Sequence, residues 1–474
     1  MAEAKVKQTL LTEGIMAIGT IKSADDLTAH IKRNGIVRAQ IGYTDHTGQL
    51  RGKIISTEKL LGGLKKGVAM TRNLAAVDFG DIIFSIEGLT LNGGGFGDSL
   101  ARIVPESCRE IPWEPAESNL FLLIEHCDEA AAYDARVLAS RMVEKANAMG
   151  FRPYFSCEFE FRVFNETSKS AHEKDFTGLE LATPESNYLG VLRQSVWSEF
   201  FNNLINDMEH IGIPIEVAHW ELAPGFAELV MQYGEGMRAA DNAVLFKTFA
   251  KASAQRRNML LSFMARYDAN SDGSSCHMHT SLCDMDGNPV FYDPEAEDTI
   301  SEVMRLFIGG MQRYVPECIL MMAPNINSYK RYLPGLFAPV AATWGIDNRT
   351  SGFRAIVGQA SAQRLENRAP GADVNPYLAF AAMLGAGLRG IEEKIKPTQK
   401  SETNLYAEMD SIPKALRFPE TLKDAISLFK ASSFAKETFG EEFVRIFSDN
   451  REAHLADFNS AVTDWERRRY LELT

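Results

Sequence analysis

Residues 156–161 read Ser156-Cys157-Glu158-Phe159-Glu160-Phe161. Side chains of a strand alternate between its two faces. Folded as a strand, this stretch sends Glu158 and Glu160 one way and Phe159 and Phe161 the other, so it needs a packed core behind and a polar space in front. The same parity recurs in Gly273-Ser274-Ser275-Cys276-His277-Met278-His279, where the histidines share a face, and in Arg364-Leu365-Glu366-Asn367-Arg368. Glu221 and Glu228 lie an odd number of residues apart and would oppose each other on one straight strand. Pro224-Gly225 between them implies a turn that resets the register.

Taken singly, each stretch has a plainer reading: a solvated strand face, a satisfied structural histidine, a surface salt-bridge ladder. Together, the carboxylates Glu158, Glu160, Glu221, Glu228 and Glu366 and a histidine, His277 or His279, are a natural shell for two hard divalent cations, Mg²⁺ or Mn²⁺. Arginines beside Glu366 suit anionic oxygens, of carboxylate or phosphate.

The rest of the chain is compatible with such a centre. Its 474 residues are 45% hydrophobic and 24% charged, enough for a large core and more than one domain. A net charge of -13 argues against nucleic acid as a partner. The six cysteines form no Cys-x-x-Cys pair, which fits a reducing cytoplasm and excludes the usual structural zinc sites. No apolar stretch is long enough to span a bilayer, the longest running from about Tyr377 to Leu388, so no membrane partner is expected. The polar, lysine-bearing N-terminus does not read as a secretory signal.

Residues 1–27 read as an N-terminal extension. Val37, Ala39 and Ile41 alternate, Asp45-His46-Thr47-Gly48 marks a turn, and Gly52-Lys53-Ile54-Ile55 returns. Strand-like pieces run on to Ile103, and Pro112-Trp113-Glu114-Pro115 punctuates the chain. These features predict a small β-rich domain over 28–117 and a larger domain over 118–474. Helical patterns at 135–149, 185–211, 235–258, 298–313, 376–394, 420–432 and 455–472 alternate there with the short charged strands. The predicted class is α+β, with a mostly antiparallel sheet in the large domain.

With their flanks, the motifs resemble the glutamine synthetase family, in particular its bacterial type I branch and the γ-glutamyl-amide ligases within it, such as γ-glutamylanilide synthase. The likeness runs from about residue 35 to the C-terminus. It takes in the motifs above, Asn327-Ser328-Tyr329-Lys330-Arg331, Asn348-Arg349-Thr350, Asn375-Pro376-Tyr377-Leu378-Ala379-Phe380 and the Trp465-Glu466-Arg467 helix. The resemblance implies an N-terminal β-grasp-like domain, a catalytic domain, and sites formed between subunits of a double-ring dodecamer. It implies that Glu160, Glu221 and Glu228 hold one metal, and that Glu158, His277 and Glu366 hold the other. Gly273, Arg331 and Arg368 would grip glutamate, while Glu216, His279, Arg349, Arg354 and Arg364 would meet ATP. Arg349, Glu366 and Arg368 would be catalytic. The implied reaction converts the glutamate side chain to γ-glutamyl phosphate, which an amine then displaces.

The departures from that family point to the amine. Ammonia-using members hold ammonium with an aspartate in the small domain and a glutamate after Lys-Arg-x-x-Pro-Gly; here Thr71 and Phe337 stand at those places. A buried cation without a counter-charge is costly, whereas an aromatic ring offers apolar area. The expected acceptor is therefore an amine with an apolar group, first an arylamine such as aniline, then alkylamines such as isopropylamine or ethanolamine, then polyamines. An altered flap, true glutamine synthetase and a catalytically dead scaffold are the competing readings. Asp272 replaces an asparagine, Ser275-Cys276 a Gly-Met pair and Phe226 a glutamine, and Tyr406 resembles an adenylylation tyrosine within a partial motif.

Overall fold

The computed structural model describes residue 19, residues 21–90 and residues 96–474; most of the expected extension, 1–27, lies outside them. Six strands form a small sheet: β1 (Arg38–Thr44), β2 (Leu50–Ser56), β3 (Val68–Thr71), β4 (Asp98–Ile103), β5 (Arg109–Glu110) and β6 (Leu120–His126). Their order is β2-β1-β6-β4-β3, with β5 on β6. β1 and β6 are parallel at the centre and the outer pairs antiparallel, and the helix Thr57–Lys66 packs across, its Leu60 buried with Ile41, Leu120 and Leu122. This is a β-grasp arrangement.

The boundary expected at 117 cuts off β6, which is central to this sheet. The reason is its sequence: Leu120-Phe121-Leu122-Leu123-Ile124-Glu125-His126 is buried at every position, as a strand covered on both faces must be. It therefore carries no alternation to mark it, and the proline-rich punctuation at 112–115 is a loop within the small sheet.

Nine strands form the large sheet: β7 (Arg152–Phe164), β8 (Ile215–Trp220), β9 (Phe226–Met231), β10 (Gly234–Glu235), β11 (Leu260–Ser262), β12 (Cys276–Cys283), β13 (Trp344–Ile346), β14 (Phe353–Ile356) and β15 (Arg364–Asn367). They run β13-β14-β15-β12-β7-β9-β8, with β10 and β11 also on β7. Only β13 and β14 are parallel. β7 organises the domain. Its odd-numbered residues Phe155, Cys157, Phe159, Phe161 and Val163 are buried against helices; Phe159 stacks on Phe246 at 5.3 Å and Phe155 meets Phe380 at 4.4 Å. Burying each ring contributes roughly 2–3 kcal/mol, so the register of β7 is firmly held and its even-numbered face is fixed with it.

The helices Ala135–Ala148, Gly236–Gln255, Pro376–Glu393 and Leu422–Ala431 follow the predicted patterns closely. The span 185–211 instead breaks into Val191–Val196 and Ser198–His210 at Trp197. Near the C-terminus, Glu441–Ser460 and Asp464–Tyr470 replace a single helix at 455–472, because Ala461 (φ -73, ψ 135) leaves the helical region. A buried ion network ties the small sheet to two helices of the large domain: Arg136 of the helix Ala135–Ala148 pairs with Glu125 of β6 and, at 2.9 and 3.0 Å, with Asp241 of the helix Gly236–Gln255. Among the described residues no helix is long and apolar enough to cross a membrane.

Candidate active site

The even face of β7 carries Glu158 and Glu160. β12 places His277 opposite Glu158, and β9 places Glu228 opposite Glu160. β15 sets Glu366 opposite His279, and β14 sets Arg354 opposite Glu366. Between β8 and β9 the chain turns at Gly225, whose φ of +56 and whose missing Cβ, which would stand 2.8 Å from the Val163 carbonyl oxygen, both require glycine. The Glu221 N–H donates to the Phe226 carbonyl across that turn at 2.7 Å, and Glu221 and Glu228 consequently face the same cleft. The odd spacing is thus reconciled as the turn required.

The acids and imidazoles fall into two clusters. His277 Nδ1 lies 2.8 Å from Glu158 and 3.6 Å from Glu366, and ligand atoms of these three residues lie within 4.8 Å of one another. The second cluster is His219, Glu221 and Glu228. His219, missed in the sequence, has Nε2 3.0 Å from Glu228 and Nδ1 3.7 Å from Glu221. Its position two residues before Glu221 was the available sign. Glu160 stands beside this group with one oxygen accepting the Ser275 N–H at 2.6 Å.

The electrostatics show a centre short of positive charge at one end. Burial, then repulsion from Glu158, Glu160 and Glu221, pushes the Glu228 carboxyl up to about 11. Burial and Glu160 raise Glu221 to about 7. At the other end burial opposes ionisation of Glu366, yet Arg368 and His277 hold it down at about 2. Burial and Arg368 depress His277 to about 4, so it is neutral at pH 7 and competent as a metal ligand. Its buried Nε2 has no hydrogen-bond partner. Carboxylate oxygens with neutral imidazole, crowded and desolvated, fit divalent cations; these would supply the countercharge the cluster lacks.

Two cavities meet here. One, of about 170 Å³, is lined by Glu160, Glu221, Glu228, Gly273, Phe337 and Arg368. The other, of about 470 Å³, is lined by Glu216, His279, Arg354 and Arg364. Glu158 and Arg349 line both. Glu366 lies just beneath, 1% exposed, accepting from Arg368 and, at 3.0 Å, from Arg354. Arg331 does not face the cleft: its guanidinium is buried and donates to the Ala369 and Arg368 carbonyls and to Ser275 Oγ. Gly273 is packed so closely that a Cβ would stand 2.6 Å from the Ala265 carbonyl oxygen.

Phe337 lies on the cleft wall at φ +52, half exposed, with its carbonyl accepting from Arg368 at 3.3 Å. Leu222, Leu336 and Tyr188 line the same cleft; none was singled out in the sequence. Tyr406 is half-buried, its hydroxyl donating to the carbonyl of Ala338, the residue after Phe337. Thr71 is not brought to the cleft. It ends β3, at the edge of the small sheet.

A curved antiparallel sheet whose strands aim carboxylates and imidazoles between two arginine-rimmed cavities defines a metal-assisted ligase or transferase class. Residues 132–470 match the family model described as glutamine synthetase, catalytic domain, and the chain belongs to the glutamine synthetase family. It is 34% identical over 453 residues to the gamma-glutamylethanolamide synthetase GlnA4 of Streptomyces coelicolor, covering 94% of this chain and 95% of that one. A glutamate–isopropylamine ligase of a Pseudomonas species is 32% identical over 447 residues, covering 94% and 96%. Among solved structures, a GmaS/ADP complex superposes with a TM-score of 0.80 at 26% identity, over 94% of this chain and 99% of that chain.

Proposed function

We propose that this glutamate–amine ligase uses ATP to join an apolar amine to the γ-carboxylate of L-glutamate through γ-glutamyl phosphate, with an arylamine such as aniline as first acceptor. The observation that carries the choice of amine is Phe337 on the wall of the cleft, where ammonia-using relatives of the family place a carboxylate. The neighbouring Leu222, Phe226 and Leu336 extend an apolar surface. An arylamine is largely neutral at pH 7 and needs no carboxylate to remove a proton before it attacks.

In this reading the 470 Å³ cavity takes ATP, with Glu216, His279, Arg354 and Arg364 around it, and the 170 Å³ cleft takes glutamate. Arg368, directed into the cleft and anchored on Glu366, orients the glutamate. Arg331 supports that residue from below through the Arg368 carbonyl. Arg349, at the junction, stabilises negative charge on the phosphoryl group in transfer. Mg²⁺ or Mn²⁺, held by Glu160, Glu221 and Glu228 and by Glu158, His277 and Glu366, would neutralise phosphate charge there. A double-ring dodecamer would carry Thr71 of a neighbouring subunit toward the cleft that its own chain does not reach.

A second reading, an alkylamine acceptor, is favoured by the relatives whose names specify ethanolamide and isopropylamine. Phosphate release with glutamate, ATP and Mg²⁺, supplied in turn with aniline, isopropylamine, ethanolamine, putrescine or ammonium, separates the cases. Aniline is expected to give the highest kcat/KM. Preference for isopropylamine or ethanolamine selects the second reading, and preference for ammonium overturns both.

A further inference from the structure

We infer that Arg162 is a positioning residue for the glutamate end of the cleft, tying together the hairpin that carries Glu221 and Glu228 and the loop that ends in Gly273. The inference rests on the reading of the cleft as a glutamate and amine site.

Arg162 is the next residue after Glu158 and Glu160 on the same face of β7. It is 1% exposed, an unusual place for a guanidinium unless its donors are committed. Its two Nη groups are committed to two loops, while Nε is buried without a partner. Nη1 donates to the Pro224 carbonyl at 2.9 Å, within the turn between Glu221 and Glu228. Nη2 donates to Ser271 Oγ at 2.9 Å and to the Asp272 carbonyl at 2.7 Å, immediately before Gly273. The guanidinium carbon sits 4.0 Å from the centre of the Phe226 ring, which lines the cleft. One planar cation therefore fixes the turn, the loop and the aromatic floor. Its fork geometry makes this possible; the single flexible ammonium of lysine cannot serve three acceptors in these directions.

The turn has further ties, the Gly225 N–H donating to Thr183 Oγ1 at 2.7 Å and the Val163 N–H to the Gly225 carbonyl at 2.8 Å, and Arg162 is what links it to the second loop. Ser271, Asp272 and Gly273 belong to no helix or strand, and Gly273 packs against Ala265 and Arg331 too tightly to shift without disturbing both. Freed from Arg162, the loop would leave the Asp272 carbonyl and the Pro224 carbonyl without this donor, and the wall facing the substrate would lose its position. Misplacement of a binding wall weakens binding of the ligand that touches it, more than it slows the chemistry of whatever still binds correctly.

The test compares Arg162→Lys, Arg162→Met and Ser271→Ala with the wild type. Glutamate binding is followed by calorimetry, and steady-state kinetics use whichever amine the wild type accepts. Expected are a rise of about tenfold or more in KM and Kd for glutamate in Arg162→Met, little relief in Arg162→Lys, and about two- to threefold in Ser271→Ala, with KM for ATP unchanged. A loss of folding alone would lower the melting temperature without this split between glutamate and ATP. Should both Arg162 variants fail to fold, Ser271→Ala decides. Folded variants with wild-type glutamate affinity overturn the inference. A wild type that binds glutamate but makes no γ-glutamyl amide overturns the proposed function instead, and the calorimetric comparison still judges Arg162.

Discussion

Replacing Phe337 by glutamate restores the carboxylate that the cleft lacks, and its consequence can be worked from the position of the ring. Both residues carry a Cβ, so the cost of φ +52 is common to them and cancels. The Phe337 carbonyl that accepts from Arg368 is backbone and is retained. What changes is the side chain. Phe337 is 52% exposed, so its loss forfeits roughly half of the ~2–3 kcal/mol that full burial contributes, about 1 kcal/mol against an apolar amine. The new carboxylate gains, for a cationic acceptor, about 1 kcal/mol net at a partly exposed site, far below the bare Coulomb value. Together these shift the ratio of kcat/KM for ammonium over aniline by about 2 kcal/mol, roughly 30-fold toward ammonium. Steady-state ADP release with each amine at saturating glutamate and ATP measures the ratio directly. A folded Phe337→Glu enzyme whose ratio moves less than about threefold would refute the assignment of this side chain to the acceptor pocket.

Two further outcomes concern the metal centre. Glu228 at about 11 and Glu221 at about 7 both lie above the ordinary 4.5, so the cation-free native state keeps protons that the unfolded chain has released. Its stability therefore falls as pH rises from about 4.5 through these values. Mg²⁺ or Mn²⁺ removes that penalty, so the rise in melting temperature on adding metal should be larger at about pH 9 than at about pH 6; equal increments at both would contradict the placement of the cation among these carboxylates. Glu366→Gln leaves Arg354 and Arg368 facing a neutral amide in a buried site, which should cost about 3 kcal/mol or more in urea unfolding, and a loss below about 1 kcal/mol would mean that solvent reaches the pair.

The site was legible in the chain where its chemistry follows strand parity. Glu158 with Glu160, and His277 with His279, share faces because residues two apart on a strand must, and cross-strand pairing then brings His277 to Glu158 without further specification. The same rule, carried one step further in each direction, would have found His219 two residues before Glu221 and Arg162 two residues after Glu160. Neither stands out by residue type, since a lone histidine or arginine on a strand is ordinarily a surface group. What was not legible depends on partners distant in sequence. The strand Leu120–His126 is apolar on both faces because β1 and β4 flank it and helices cover it, so it offers no alternation to separate it from a buried helix. Arg331 looks like a substrate residue in isolation, yet the carbonyls of Arg368 and Ala369 and the Ser275 hydroxyl claim its Nη donors first. A charged side chain next to a functional one is thus used at one remove, and the chain shows which residues can reach the cleft sooner than which of them stop at the wall.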